Sequence, residues 1–298
     1  MEKLIKKYDQ LQNKYGSKNL NSVYGCGQDK NAKLALVFMN PTKRNIATDK
    51  SWKGLKAQWL GTKQVWEFLT KCDLFSDELN QEIKSKTPKD WTPDFCKKVY
   101  DEVKKQGIWI TNLAKCTQDD ARPLADEVFL KYTDLLKEEL YLVNPQKVFF
   151  FGNQVSSIML DEKITVSTVR QKKFALKIKD KEFESYALFY PVGNGRFNQH
   201  KTIEDIKEIL KNGEKIMDAQ KNKIYRHYKG DLYIVEDFAI HSDTDELMII
   251  YRALYGNCQL FTKPVSAFEE KLSPEAQIKY GQEYRFELID IKSKNPDH

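Results

Sequence analysis

The chain has 298 residues, 31% of them charged and 41% hydrophobic, with a formal net charge of +6. That composition is ordinary for a globular protein and excludes a disordered chain, while the length fits two domains of roughly 150 residues rather than one small core. The mild positive charge permits an acidic partner such as DNA without requiring one, and the five cysteines and four histidines stand singly, in no CxxC pair or zinc-like spacing.

The N-terminal stretch MEKLIKKYDQLQNKYG predicts a charged amphipathic helix. It has no apolar run of the kind a secretory leader carries, and no later run reaches the length of a membrane span. A cytoplasmic location and no membrane partner are therefore expected. Residues 34–39 are almost continuously apolar and predict a strand buried on both faces. The polar loop NPTKRNIATDKSWKG follows, long enough to carry function. Residues 62–75 predict a helix with Val65, Phe68 and Leu69 on one side. Residues 77–95 read as a polar stretch broken by Pro88 and Pro93, and 93–107 as a helix ended by Gly107.

A strand, IWITNL, comes next, then a strong helix over 124–144 that stops before Pro145. KVFFFG predicts a third buried strand running into a helix at Asn153. Residues 163–186 read as a basic β-ribbon, YALFYP as the last core strand, and TIEDIKEIL as the closing helix. The β–α alternation predicts an α/β fold with a central, mostly parallel sheet flanked by helices. Beyond 211–223 the helical pattern stops. Short strands from 230 to 291 predict a small all-β, barrel-like domain, so the expected domains are 1–213 and 222–298. The aromatics of the second domain, Tyr225, Tyr228, Tyr233, Phe238, Tyr251, Tyr255 and Phe261, are expected in its core rather than on a stacking surface.

Four strands thus run straight into turns rich in Asn, Pro or Gly: LALVFMNPTKRN, GIWITNLAKCT, KVFFFGNQVSS and ALFYPVGNGRF. A parallel sheet places its chemistry outside the carboxyl ends of its strands. Asn40, Pro41, Asn112, Asn153, Tyr190 and Pro191 are therefore expected around one cleft.

In that order the four motifs resemble the uracil-DNA glycosylase superfamily, over about two-thirds of the chain. The closest likeness is to branches that act on single-strand-selective or mismatched uracil, because of Met39-Asn40-Pro41. The tail from Tyr225 to Phe268 resembles a small bacterial domain of unknown function. The resemblance implies a DNA glycosylase that extrudes a nucleotide and hydrolyses its N-glycosidic bond. Asn40, followed by Pro41, then corresponds to the residue that positions the attacking water. Asn112 corresponds to the base-reading residue, since an amide offers both donor and acceptor. Trp52, Trp59 and Thr42 fall where the family contacts the base. Tyr190 stands where the family has a histidine that stabilises the leaving base, and His200, ten residues on, is a candidate replacement. Lys43, Arg44, Asn153, Pro191, Gly193, Asn194, Gly195 and Arg196 are candidates for DNA contact.

Some branches bind an iron–sulfur cluster through four cysteines. Cys116 resembles one of them, but no equivalents of the others are present, so no metal and no cofactor are expected. Lys43 is also a candidate for a Schiff base with the sugar, although a monofunctional enzyme is expected. The departures at Tyr190, Thr42 and the 43–51 loop imply a pocket altered for a base other than plain uracil. A modified pyrimidine, such as a hypermodified cytosine of phage DNA, is the leading expectation, with a role in antiviral defence. A uracil or mismatched-uracil glycosylase of base-excision repair and a catalytically inactive nucleic-acid-binding module are the alternatives.

Overall fold

The computed structural model describes all residues except 122–123, 214–218, 245, 290 and 292–298, and the side chains of 194 and 211–213 are also outside the description. The chain divides into two compact units, Met1–Ile209 and Leu210–His298.

The first unit is built on a six-stranded sheet. Its parallel strands are β2 (Leu34–Phe38), β3 (Ile108–Asn112), β4 (Lys147–Phe151) and β6 (Lys181–Leu188). The short β1 (Cys26–Gly27) runs antiparallel to β3, and β5 (Phe174–Ile178) runs antiparallel to β6, giving the order β1-β3-β2-β4-β6-β5. Every residue of β2 and β3 is buried, so their near-continuous apolar sequences reflect cover on both faces. On one face Ala35, Val37, Val148 and Phe150 pack with residues of α1 (Glu2–Tyr15), α5 (Asp126–Val143) and α6 (Asn153–Leu160). On the other, Phe68 of α2 (Gln64–Lys71) meets the Phe151 ring edge-on at 6.0 Å, and Trp66 meets Tyr100 of α4 (Pro93–Lys105) edge-on at 5.9 Å.

The chain leaves β2 for β3 on one side and then crosses to β4 on the other. The carboxyl ends of β2 and β4 therefore flank the reversal of strand order, where open α/β sheets form their crevice. Two local expectations change. The polar stretch contains a helix, α3 (Asp77–Ser85), capped by the Ser76 hydroxyl and burying Leu79 and Ile83. The expected ribbon and last core strand share one strand, because β6 pairs with β5 on one edge and β4 on the other.

A fully buried ion pair lies behind the end of β3. Lys115 Nζ sits 3.0 Å from Glu139 Oε2, and neither side chain is more than 1% exposed. Glu139 also accepts from Trp109 Nε1 at 2.9 Å, Thr111 Oγ1 at 2.6 Å and the Tyr8 hydroxyl at 2.7 Å. Burial lowers Lys115 from the usual ammonium value against the pull of Glu139. Burial opposes the charge of Glu139 too, but Lys115 and the three donors hold its carboxyl below the usual range.

The second unit is an all-β antiparallel sheet of β7 (Ile224–His227), β8 (Leu232–Ile240), β9 (Leu247–Ala253), β10 (Leu260–Pro264) and β11 (Phe286–Leu288), in the order β10-β9-β8-β7-β11. Tyr225, Val235, Ile249, Tyr251, Phe268 and Phe286 form its core, whereas Tyr255 is exposed.

Replacing Glu139 with alanine strands the Lys115 charge and three donors. Urea denaturation at pH 7 is expected to show a loss of about 3–5 kcal/mol. Since the folded carboxyl sits below its unfolded value, its contribution is present above the unfolded pKa. It is lost as pH falls through the folded one, so the wild-type advantage over Glu139→Ala shrinks in acid.

Candidate active site

The pairing of β2 with β3 continues past the strands. Leu113 N donates to Phe38 O at 2.8 Å and Ala114 N to Met39 O at 3.0 Å. Gln118 N then donates to Pro41 O at 3.1 Å and Lys43 N to Gln118 O at 3.0 Å. Two loops held together in this way place Asn40 and Pro41 at the mouth of the crevice. Asn40 is half-buried and donates from Nδ2 to Pro41 O at 3.2 Å; Pro41 is buried, Thr42 half-buried, and Lys43 and Arg44 exposed. Asn45, which the sequence did not single out, organises the rest of this loop. Its Nδ2 donates to Ala57 O at 2.8 Å, and its Oδ1 accepts from Ala47 N at 3.0 Å.

Asn112 ends β3 opposite Phe38 and is 1% exposed. Its Nδ2 donates to Gln58 Oε1 at 2.9 Å, and Lys115 Nζ donates to its main-chain oxygen. Its Oδ1 is buried and has no hydrogen-bond partner among the described residues. Leaving such an oxygen unpaired costs about 1–3 kcal/mol, a cost that a ligand carrying a donor removes.

Trp59 follows Gln58 and adopts φ = +64°, in the left-handed region that a bulky side chain rarely enters. Its indole ring packs edge-on against Phe38 with centroids 5.1 Å apart, and its Nε1 is buried without a partner among the described residues. Phe38 stacks on Phe151 at 4.4 Å and meets the Tyr190 ring edge-on at 6.0 Å. The ends of β2 and β4, the loop after β2 and the loop after β6 thus meet in one aromatic cluster beside Asn112. Burial alone raises the Tyr190 phenol well above its ordinary value, so the hydroxyl stays neutral and can donate. It makes no hydrogen bond among the described residues.

The loop after β6 turns tightly. A Cβ on Gly195 would lie 2.1 Å from Tyr190 O, whereas one on Gly193 would meet open space, though at φ = +60°. Gly193 N donates to Gln64 Oε1 at 3.0 Å, and buried Pro191 accepts from Gln199 Nε2 at 2.8 Å. Arg196 is exposed, and beside it Phe197 is 80% exposed, an apolar side chain that the sequence reading passed over. The side chain of Asn194 lies outside the described residues.

The other candidates have these surroundings. His200 is exposed in the first turn of α7 (Gln199–Gly213) and makes no hydrogen bond or ring contact among the described residues. Asn153 opens α6 and accepts from Val166 N at 2.9 Å. Trp52 donates to Leu55 O at 3.0 Å and lines a different groove of about 450 Å³ with Lys43, Asp49 and Trp91. Cys116 is buried, and no group of three or more His, Cys, Asp or Glu among the described residues is placed to hold a metal ion.

Residues 24–212 match the family model described as the uracil DNA glycosylase superfamily. Residues 223–288 match a second model, a protein of unknown function called DUF1653. A solved structure of a DUF1653 protein from Bordetella bronchiseptica is 27% identical over 26% of this chain and 99% of its own, with a TM-score of 0.22.

The two loop glycines are expected to respond unequally. Gly193→Ala should cost about 1 kcal/mol, from its positive φ alone. Gly195→Ala, which must push the Tyr190 carbonyl aside, should cost more and shift the Tyr190 ring resonances in NMR spectra; equal costs with unmoved resonances would contradict the packing described.

Proposed function

Because the chain belongs to the uracil DNA glycosylase superfamily, we propose that it is a DNA glycosylase whose base pocket lies between Asn112, Trp59 and Tyr190. The observation that carries this reading is the buried, unpartnered Oδ1 of Asn112 beside an aromatic cluster at the strand-order reversal. A flipped base offers both an edge to hydrogen-bond and a face to stack.

Cleavage passes through an oxocarbenium-like sugar, by analogy with O-glycosides. Asn40 orients the attacking water. An amide is a poor base, so the reaction depends on a good leaving group and on electrostatic stabilisation. Tyr190 donates a hydrogen bond to the anion developing on the departing base. A neutral phenol is a weaker donor than a charged group. Lys43, Arg44 and Arg196, all exposed around the crevice, hold phosphates. Phe197 enters the duplex as an apolar wedge and fills the space the base vacates. No base fits while Asn112 stays covered, and Trp59, held in an unfavourable backbone conformation, is the side chain that yields.

For the substrate, the replacement of a motif histidine by Tyr190, together with Thr42 and the 43–51 loop, favours a modified pyrimidine of phage DNA and a role in antiviral defence. Incubation with uracil-containing, host and modified phage DNA, followed by labelling of abasic aldehydes, distinguishes the readings. Label is expected in phage DNA alone; equal action on a plain uracil oligonucleotide with none on phage DNA would move the enzyme to base-excision repair.

Asn40→Ala should lower base release by about 10²–10³-fold while DNA affinity is preserved. Loss of neither would make the unit a binding module. Phe197→Ala should slow release from duplex DNA far more than from single strands. Hydrolysis without a covalent step predicts no borohydride-trapped adduct at Lys43.

A further inference from the structure

We propose, resting on that reading, that Gln58 determines which pyrimidine edge the pocket accepts, by locking the side-chain amide of Asn112 in one orientation. The lock begins at Val23, which is fully buried. Its carbonyl can only accept, and a buried carbonyl needs a donor. Gln58 Nε2 supplies one at 3.2 Å. That fixes the Gln58 amide with Oε1 on the opposite side, where it accepts from Asn112 Nδ2 at 2.9 Å. Asn112 Oδ1 is thereby turned away as an unpaired acceptor. Rotating either amide by half a turn would set oxygen against oxygen or nitrogen against nitrogen.

Both main chains are held as well. The Tyr100 hydroxyl donates to Gln58 O at 2.8 Å, and Lys115 Nζ donates to Asn112 O. Gln58 itself is 1% exposed, so water does not compete for its amide.

The consequence is chemical. A keto pyrimidine such as uracil presents an N3–H donor beside an O4 acceptor. An amino pyrimidine such as cytosine presents an N4–H donor beside an N3 acceptor, the reverse order along the edge. An amide free to rotate pairs with both, whereas a locked amide pairs with one and leaves buried groups unpaired against the other. Sites built on such hydrogen bonds reject the wrong partner by roughly 10⁴-fold. Gln58 is a positioning residue in this scheme, and it acts through Asn112.

The test uses oligonucleotides in matched pairs: uracil with cytosine, and 5-hydroxymethyluracil with 5-hydroxymethylcytosine. The full chain should release one edge class at least about 100-fold faster than the other. Gln58→Leu removes the acceptor and should reduce that ratio at least tenfold. Gln58→Glu keeps an acceptor facing Asn112 in either protonation state and should retain the ratio. A purely structural role for Gln58 would slow both bases alike and leave the ratio unchanged. An unchanged ratio in Gln58→Leu, or equal losses in the two variants, overturns the proposal.

Exchange of the Asn112 side-chain NH₂ with solvent, followed by NMR, reads the lock without any substrate. It should be slow in the wild type and Gln58→Glu and at least tenfold faster in Gln58→Leu; equal rates also overturn the proposal. A wild-type protein with a slow Asn112 amide that releases no base from any DNA contradicts the glycosylase reading and not the lock.

Discussion

A carboxylate closed off from water must find all its compensation inside the protein, and Glu139 does so by gathering Tyr8, Trp109, Thr111 and Lys115. The ammonium it recruits has donors to spare, and one goes to the main-chain oxygen of Asn112. From there a ring of hydrogen bonds closes. Asn112 donates to Gln58, Gln58 to Val23 O, and Val23 N to Lys115 O at 3.3 Å. A buried ion pair is weak evidence for stability, since apolar residues often serve as well. Its value here is positional: it holds the end of β3, and with it a single side-chain amide, in one arrangement.

The same end of the sheet carries unfavourable features that the rest of the fold sustains. Trp59 sits at a positive φ, which costs about 1–3 kcal/mol, and its indole N–H, like the Asn112 side-chain oxygen, is buried without a partner among the described residues. Trp59 packs on Phe38, which pairs in register with Asn112, where the strand order reverses. In the proposed glycosylase, the rigid polar ring is the fixed wall of the base pocket and Trp59 the wall that yields. The fixed wall is suited to reading a base and the movable one to admitting it.

The strand ends were legible in the sequence because strands buried on both faces read as unbroken apolar runs, and LALVF, IWITN and KVFFF end abruptly at polar turns. That Asn112 and Tyr190 lie at one end of the sheet follows from those ends once the strands are parallel, whereas Trp59 reaches Phe38 from within the loop after β2. Gln58 was not legible. Its partners lie 35 and 54 positions away, and a glutamine in a polar loop carries no local signal that it will be buried. The α3 helix hid for a related reason, since only Leu79 and Ile83 mark its inner face in a run of polar residues. His200 and Trp52 suit the chemistry by residue type, but His200 is exposed and Trp52 lines a groove with Lys43 and Trp91. Phe197 was overlooked because one phenylalanine among glycines and asparagines reads as ordinary until its exposure is known.

Base excision at this site requires that a nucleotide leave the stack and enter the space between Trp59, Tyr190 and Asn112. A crystal structure of the full chain with DNA carrying a 2′-fluorinated, cleavage-resistant pyrimidine tests it directly. The base is expected to be extruded, with its edge on Asn112 Oδ1, its face on Trp59, and the Trp59 backbone moved from its present φ. A base still stacked in the helix, or seated in the groove beside Trp52 with Asn112 Oδ1 still covered, would contradict it.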